Sequence, residues 1–322
     1  MDQPRTLNLN ARAAAIASAM AAEADLLRVA ESHLEGGARV LDCGIAVPGG
    51  LEAGRLLAEA CLGGAGHVGL VPLDVDGLSL PGVTVRTDHP ATACLASQYA
   101  GWSIKPEGFF AMGSGPLRAI ARVEEALFDR LRYAEPAEGP GVLVLETRTP
   151  PGAAVAEWLE AKSGVAAERL TLLAAPTASA AGGVQISARV VETALHKLLE
   201  LGFDVARVVT GFGSAPVAPV APNDLRAIGR TNDCILYGGT VHLTVDAEDD
   251  ALAALAPQVP SGASRDYGTP FYELFKRYGN DFYKVDPLLF SPARVVLTGS
   301  RTGTSFEAGQ LNPDVLRESF GL

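Results

Sequence analysis

Residues 186–203 read ISARVVETALHKLLELGF, and their spacing predicts one continuous helix. Val190, Val191, Ala194, Leu195, Leu198 and Leu201 recur at helical intervals and form one broad apolar face. At roughly 100° per residue, Gln185, Arg189, Glu192 and His196 stack on the opposite side. Gly202 stands where a left-handed C-terminal cap is expected. Arg189 and Glu192 are three residues apart, so their side chains can meet. Such a pair on the polar face of an amphipathic helix is ordinarily solvated and contributes about 0.2–0.5 kcal/mol. Just upstream, residues 175–185 read APTASAAGGVQ, small and uncharged. A segment of this kind brings its backbone close to a ligand and delivers N–H groups to a helix N-terminus.

Working outward, strands are predicted at 141–146 (GVLVLE), 170–175 and 205–210, with a helix at 153–163 between the first two. Towards the N-terminus, 9–35 reads as a helix with Asn8 or Asn10 as its cap. A strand follows at 38–47, then a glycine break, a helix at 51–62, and strands at 67–75 and 82–87. This opening has the pattern of a β–loop–α–β unit. Residues 90–100 read as helical, 111–116 (AMGSGP) as a glycine turn, 117–131 as a helix and 133–141 as a surface loop. The repeated alternation predicts an α/β class with mixed sheets.

Pro216, Pro219 and Pro222 fall within seven residues, so 211–222 is expected to be an extended connector rather than a central strand. It divides the chain into two expected lobes, 1–89 plus 223–322 and 90–222, the second carrying the helix quoted first. Beyond it, 223–229 reads as a short helix, 233–246 as a hairpin turning at Gly238 and Gly239, and 292–308 as another hairpin.

Composition narrows the function. The chain has 322 residues, 48% hydrophobic and 20% charged, with net charge −11. No Lys/Arg cluster is present, which argues against a nucleic-acid partner. Cys43, Cys61, Cys94 and Cys234 are far apart and form no CxxC, so neither a zinc site nor a disulfide framework is expected; the pattern fits a reducing, cytoplasmic setting. No apolar run is long enough to span a membrane, and the N-terminus has no signal-peptide pattern. The glycines at 49, 50 and 54 do not have dinucleotide-fingerprint spacing, and no phosphate-loop motif occurs. A nicotinamide-dependent oxidoreductase is thereby disfavoured.

Long ordered segments carry a resemblance: LDCGIAVPGGLEAGRLLAE, VRTDHPATACLASQYAGW, FFAMGSGPLRA, APTASAAGGVQISARVVETALHKLLELGFD, VAPNDLRAIGRTNDCILYGG and DYGTPFYELFKRYGNDFYKVDPLLFSPA. From about residue 7 to the end, the chain is similar to the methenyltetrahydromethanopterin cyclohydrolases. The resemblance implies a two-lobed α/β subunit with a pocket between its lobes, assembled as a homotrimer. It implies reversible hydrolysis of a methenyl-tetrahydromethanopterin one-carbon carrier to its 5-formyl form, with no metal and no redox cofactor. It also implies that an Arg and a Glu three residues apart on one helix flank the reacting carbon; here these are Arg189 and Glu192, with Glu192 activating water and Arg189 orienting it. Gln185, Ser179 and Thr177 are the expected contacts to the pterin amide edge, and Ser114 and Gly113 to the tail. The alternative is a pterin-binding subunit that has the fold and no activity.

Overall fold

Strands and helices alternate as expected, but they sort into two six-stranded mixed sheets, each in its own compact unit. The computed structural model describes residues 7–322. Among them, no helix is long and apolar enough to cross a membrane. The first unit comprises the chain through Gly66 together with Thr92–Pro176, and the second comprises His67–Ala91 and Thr177–Leu322. These boundaries differ from the expected lobes. The proline-rich stretch is not a boundary, and the helix quoted first belongs with the C-terminal third. Sheet pairing decides the division: the strand pair at 67–87 joins the sheet built by the C-terminal half of the chain.

In the first unit the strand order is β1 (Ala30–His33), β2 (Arg39–Asp42), β8 (Leu170–Ala175), β7 (Gly141–Glu146), β6 (Ala111–Ser114) and β5 (Trp102–Ile104). The central β2, β8 and β7 run parallel, and the remaining pairings are antiparallel. Strands buried on both faces read as unbroken apolar runs, and β7 and β8 do so: every residue but Glu146 is buried. Helices α1 (Leu9–Ala22), α2 (Ala24–Leu27), α3 (Leu51–Cys61), α4 (Leu117–Ala121), α5 (Glu125–Leu131) and α6 (Ala153–Ser163) complete the unit. Leu143, Leu145, Leu159 and Leu172 lie at the centre of its main core.

Several expectations fail here for local reasons. The helix expected over 9–35 stops at a left-handed Arg28 (φ 54°), and its tail becomes β1, whose backbone pairs with β2. The glycine turn expected at 111–116 is mostly strand β6, clamped between β5 and β7. The helix expected over 117–131 breaks at Arg122 (φ 47°). In the loop at 133–141, Glu135 is buried rather than on the surface. It accepts the backbone N–H groups of Leu9 (2.5 Å) and Asn10 (3.2 Å) and so satisfies the start of α1, where the side chain of Asn8 makes no capping bond. The helix expected over 90–100, by contrast, is present, wound as a π-helix over Ala91–Gln98. The β–loop–α–β reading also fails, because β2 and the strand after α3 lie in different sheets.

In the second unit the order is β12 (Ser305–Gly309), β11 (Arg294–Gly299), β10 (Thr240–Val245), β9 (Val208–Pro216), β4 (Leu78–Thr87) and β3 (His67–Val75). Its helices are α7 (Ala180–Ser187), α8 (Val190–Glu200), α9 (Asp224–Gly238), α10 (Asp249–Leu255), α11 (Phe271–Arg277) and α12 (Pro313–Phe320). The hairpin expected at 292–308 is present as β11–β12. The one expected at 233–246 is not. Asn223 caps α9 by accepting from Arg226 N–H (3.0 Å), and the helix continues to Gly238 because Cys234, Ile235, Leu236 and Tyr237 are all buried on it. The glycine pair ends a helix there rather than turning a hairpin.

Residues 211–216, expected in a connector, lie inside β9, a central strand. Of the three prolines only Pro216 is in the strand, at its last position, where a missing N–H costs the ladder least.

Candidate active site

The helix expected over 186–203 is two helices. After α7 the chain tightens: Arg189 N–H bonds to Ile186 O (2.9 Å), three residues back, while the Ser187 hydroxyl donates to Pro216 O (2.8 Å) at the end of β9. α8 then starts with Arg189 as its N-cap residue and Glu192 in its first turn. Gly202, with φ 79°, ends this segment in the left-handed conformation expected of it.

Glycines in β9 set how closely α8 approaches. Gly211 and Gly213 share one face of the strand, beneath the start of the helix. A Cβ built on Gly211 would lie 2.7 Å from Val191 Cγ1, and one on Gly213 would lie 2.9 Å from Val190 Cγ1. A larger residue at either position requires Val191 or Val190 to shift. Farther along, buried Lys197 donates to Leu288 O; burial lowers its ammonium to about 8, partly opposed by Asp286. The turn that presents Arg189 and Glu192 is therefore fastened at several points.

The expected polar face is not solvated. The Arg189 and Glu192 side chains are 9% and 6% exposed, and Gln185 is buried beside them in sequence on α7. Arg189 Nη1 and Glu192 Oε2 are 4.0 Å apart, an ion pair too long for a hydrogen bond. Glu192 stands in the first turn of α8, close to the partial positive charge of the helix N-terminus. One turn on, His196 lies 3.6 Å from Glu200; burial lowers its pKa and Glu200 partly restores it.

The small-residue lead-in is held equally firmly. Ser179 caps α7 by accepting from Gly182 N–H (3.0 Å), and the Asp224 carboxylate accepts Ala178 N–H (2.9 Å). Thr177 and Ser179 are buried. Thus Thr177, Ser179, Gln185, Arg189 and Glu192 all come from one continuous stretch of the second unit. Gly113 and Ser114 belong to the first unit. Ser114 Oγ shares a hydrogen bond with Cys61 Sγ (3.2 Å), and a Cβ on Gly113 would meet Ile104 at 3.1 Å. A cavity of about 470 Å³ in the first unit opens at the N-terminal ends of β2 and β8, beside Arg39, Glu168 and Thr171; none of the expected site residues lines it.

Sequence reading missed the positioning role of Gly211, Gly213, Ser187 and Asp224. The available signal was the alternation of Gly211 and Gly213, which in a strand marks a close backbone approach.

The sequence model of a family described as Cyclohydrolase (MCH) matches residues 8–320. The chain is 47% identical over 317 residues to a methenyltetrahydromethanopterin cyclohydrolase of Methylobacterium nodulans, covering 97% of each chain. It is 49% identical over 324 residues to one of Xanthobacter autotrophicus, covering 100% of this chain and 95% of the relative. It is 43% identical over 319 residues to one of Methanocaldococcus jannaschii, covering 98% of both.

Proposed function

The chain belongs to the cyclohydrolase (MCH) family, and we propose that it catalyses the reversible hydrolysis of 5,10-methenyl-tetrahydromethanopterin to 5-formyl-tetrahydromethanopterin, with Glu192 as the base. The observation that carries the assignment of the base is the burial of the Arg189–Glu192 pair at the first turn of α8. A surface pair has no reason to be withdrawn from water. A carboxylate that must collect a proton at a defined point has one.

The substrate's methenyl carbon lies between two nitrogens and bears delocalised positive charge, so it is electrophilic without help from a metal or a redox cofactor. Glu192 holds a water and takes one of its protons as the oxygen bonds to that carbon, giving a tetrahedral carbinolamine. The bond from carbon to N10 then breaks. Glu192 returns its proton to N10, the carbinol hydroxyl loses its own proton to become the formyl oxygen, and the formyl group stays on N5. One proton is released overall. Arg189 keeps Glu192 ionised and aimed. An Arg alone would repel the cationic substrate, whereas the pair presents little net charge. Gln185, Thr177 and Ser179 serve the pterin amide edge. Ser114 and Gly113 serve the tail.

The acidic chain and its four dispersed thiols fit a cytoplasmic enzyme of one-carbon transfer, in formaldehyde oxidation or methanogenesis, assembled as a homotrimer. The test is direct. Adding the protein to the methenyl pterin is expected to bleach the methenyl chromophore far faster than buffer alone. Tight binding without acceleration would instead identify a binding subunit.

A further inference from the structure

The hydrolysis proposed above leaves one proton over. Glu192 gives back to N10 the proton it took from water and is ionised again. It is then the base at hand when the carbinol hydroxyl becomes the formyl oxygen. The surplus proton therefore ends on Glu192, and the next cycle waits until that carboxyl has lost it. With its side chain 6% exposed, Glu192 meets little solvent that could take the proton away.

The same helix face leads outward. Glu192, His196 and Glu200 stand four residues apart on α8, so consecutive side chains stack, with Cβ atoms about 5–6 Å apart. Side-chain exposure rises in that order, 6%, 16% and 39%. His196 Nε2 lies 3.6 Å from Glu200 Oε1, which directs the ring to the outer carboxylate. An imidazole suits the middle place, because near neutral pH it takes a proton on one nitrogen and yields one from the other. Burial lowers the His196 pKa, which leaves the ring neutral and able to accept, and Glu200 opposes that shift, favouring the imidazolium once it forms. Lys197, next in sequence, faces elsewhere: it is buried and donates to Leu288 O.

We infer that His196 carries the surplus proton from Glu192 to solvent at Glu200, a relay along one face of α8. The inference rests on Glu192 as the base. In each cycle the Glu192 O–H bond breaks as the imidazole takes the proton. The imidazolium then yields one proton to the Glu200 carboxylate, which passes it to bulk water. Glu192 is again a carboxylate, His196 and Glu200 finish in their starting charge states, and one proton has left. In the reverse direction the same groups deliver it. His196 acts through Glu192 and is a positioning residue for the proton, not a group on the substrate.

His196→Ala, which keeps a good helix former in the helix, tests the relay. In dilute buffer, kcat for bleaching of the methenyl chromophore is expected to fall by about tenfold or more, with KM little changed. Added imidazole is expected to restore turnover in proportion to its concentration and to leave the wild type unchanged, which a packing role would not produce. Glu200→Gln, at the exposed end, is expected to lower kcat by less. Wild-type kcat in His196→Ala, or a loss that imidazole does not relieve, would overturn the relay. If that variant does not fold, His196→Gln replaces it, polar but unable to take a proton, and normal kcat there overturns the relay instead. Glu192→Gln separates the two levels. If it loses turnover while the His196 variant keeps it, the relay alone fails; if it keeps normal turnover, the reading of Glu192 as the base fails and the relay with it.

Discussion

Two helices place an arginine and glutamates at helical spacing, and their sequences look alike. On α3, Arg55 reaches Glu52 at 2.5 Å and Glu59 at 3.0 Å, with the Glu52 side chain 54% exposed. At the start of α8, Arg189 and Glu192 are 4.0 Å apart and almost wholly buried. The tighter pair is the more exposed one. Water screens it and supplies substitute partners, so its good geometry contributes little. The looser pair sits where few waters compete, and each charge there alters the energy of anything brought beside it. Spacing along a helix cannot tell these cases apart; depth can.

The sharpest way to break the comparison is Glu192→Gln. Turnover is expected to fall by about two orders of magnitude or more with KM little changed, as for loss of a general base; normal turnover would remove Glu192 from the chemistry. Next is Arg189→Leu, which leaves a buried carboxylate without its cation. Activity should drop, and the acid limb of the pH–rate profile should move to higher pH, since the lost charge favoured the ionised acid. An unmoved profile would contradict the pairing. Gly211→Ala tests the support beneath the pair. Its new methyl group collides with Val191, so we expect about 1–3 kcal/mol of destabilisation and a lower kcat. Adding Val191→Ala should relieve both, and failure of that rescue would dissociate the β9 glycines from the site.

A smaller effect separates a buried acid of the second unit's scaffold from Glu192. Asp233 on α9 is fully buried, accepting from Phe271 N–H (2.8 Å) and from the Ser319 hydroxyl (2.5 Å), and burial pushes its carboxyl up to about 7. An unfolded Asp titrates near about 3.9. Between these values the native chain holds a proton that the unfolded chain has released. Stability therefore falls as pH rises from about 4 to about 7 and levels off above. Asp233→Asn should flatten that slope in melting curves taken across the window; a slope equal to wild type would place its origin elsewhere. The smallest effect is expected from Arg55→Met. Melting should report less than about 0.5 kcal/mol and turnover should be unchanged. A large loss there would make the exposed pair more than a surface contact.

The candidate pair was legible before any coordinates, but only through resemblance; the residues alone pointed to a solvated helix face. The buried parallel strands β7 and β8 were legible from their apolar runs, and the β11–β12 hairpin from its turn residues. Residues 233–239 were not, because a short apolar run ending in two glycines suits a hairpin as well as a helix end. What selects the helix is the burial of Cys234, Leu236 and Tyr237 in one core with residues of α11 and α12. The β9 glycines were hidden for a related reason: next to a proline-rich stretch they resemble a linker, and only the helix lying on them reveals their use.

By itself the sequence determined the α/β class, the identity of most strands, and the three-residue spacing that lets Arg189 and Glu192 meet. These follow from side-chain periodicity and chain geometry, which are local. The tertiary structure alone decided that the pair is buried, that its helix begins at Arg189, and that the strands at 67–87 share a sheet with the C-terminal half. Each depends on strands and helices far apart in the chain competing for the same backbone hydrogen bonds and the same apolar surface, and no window of sequence contains both competitors.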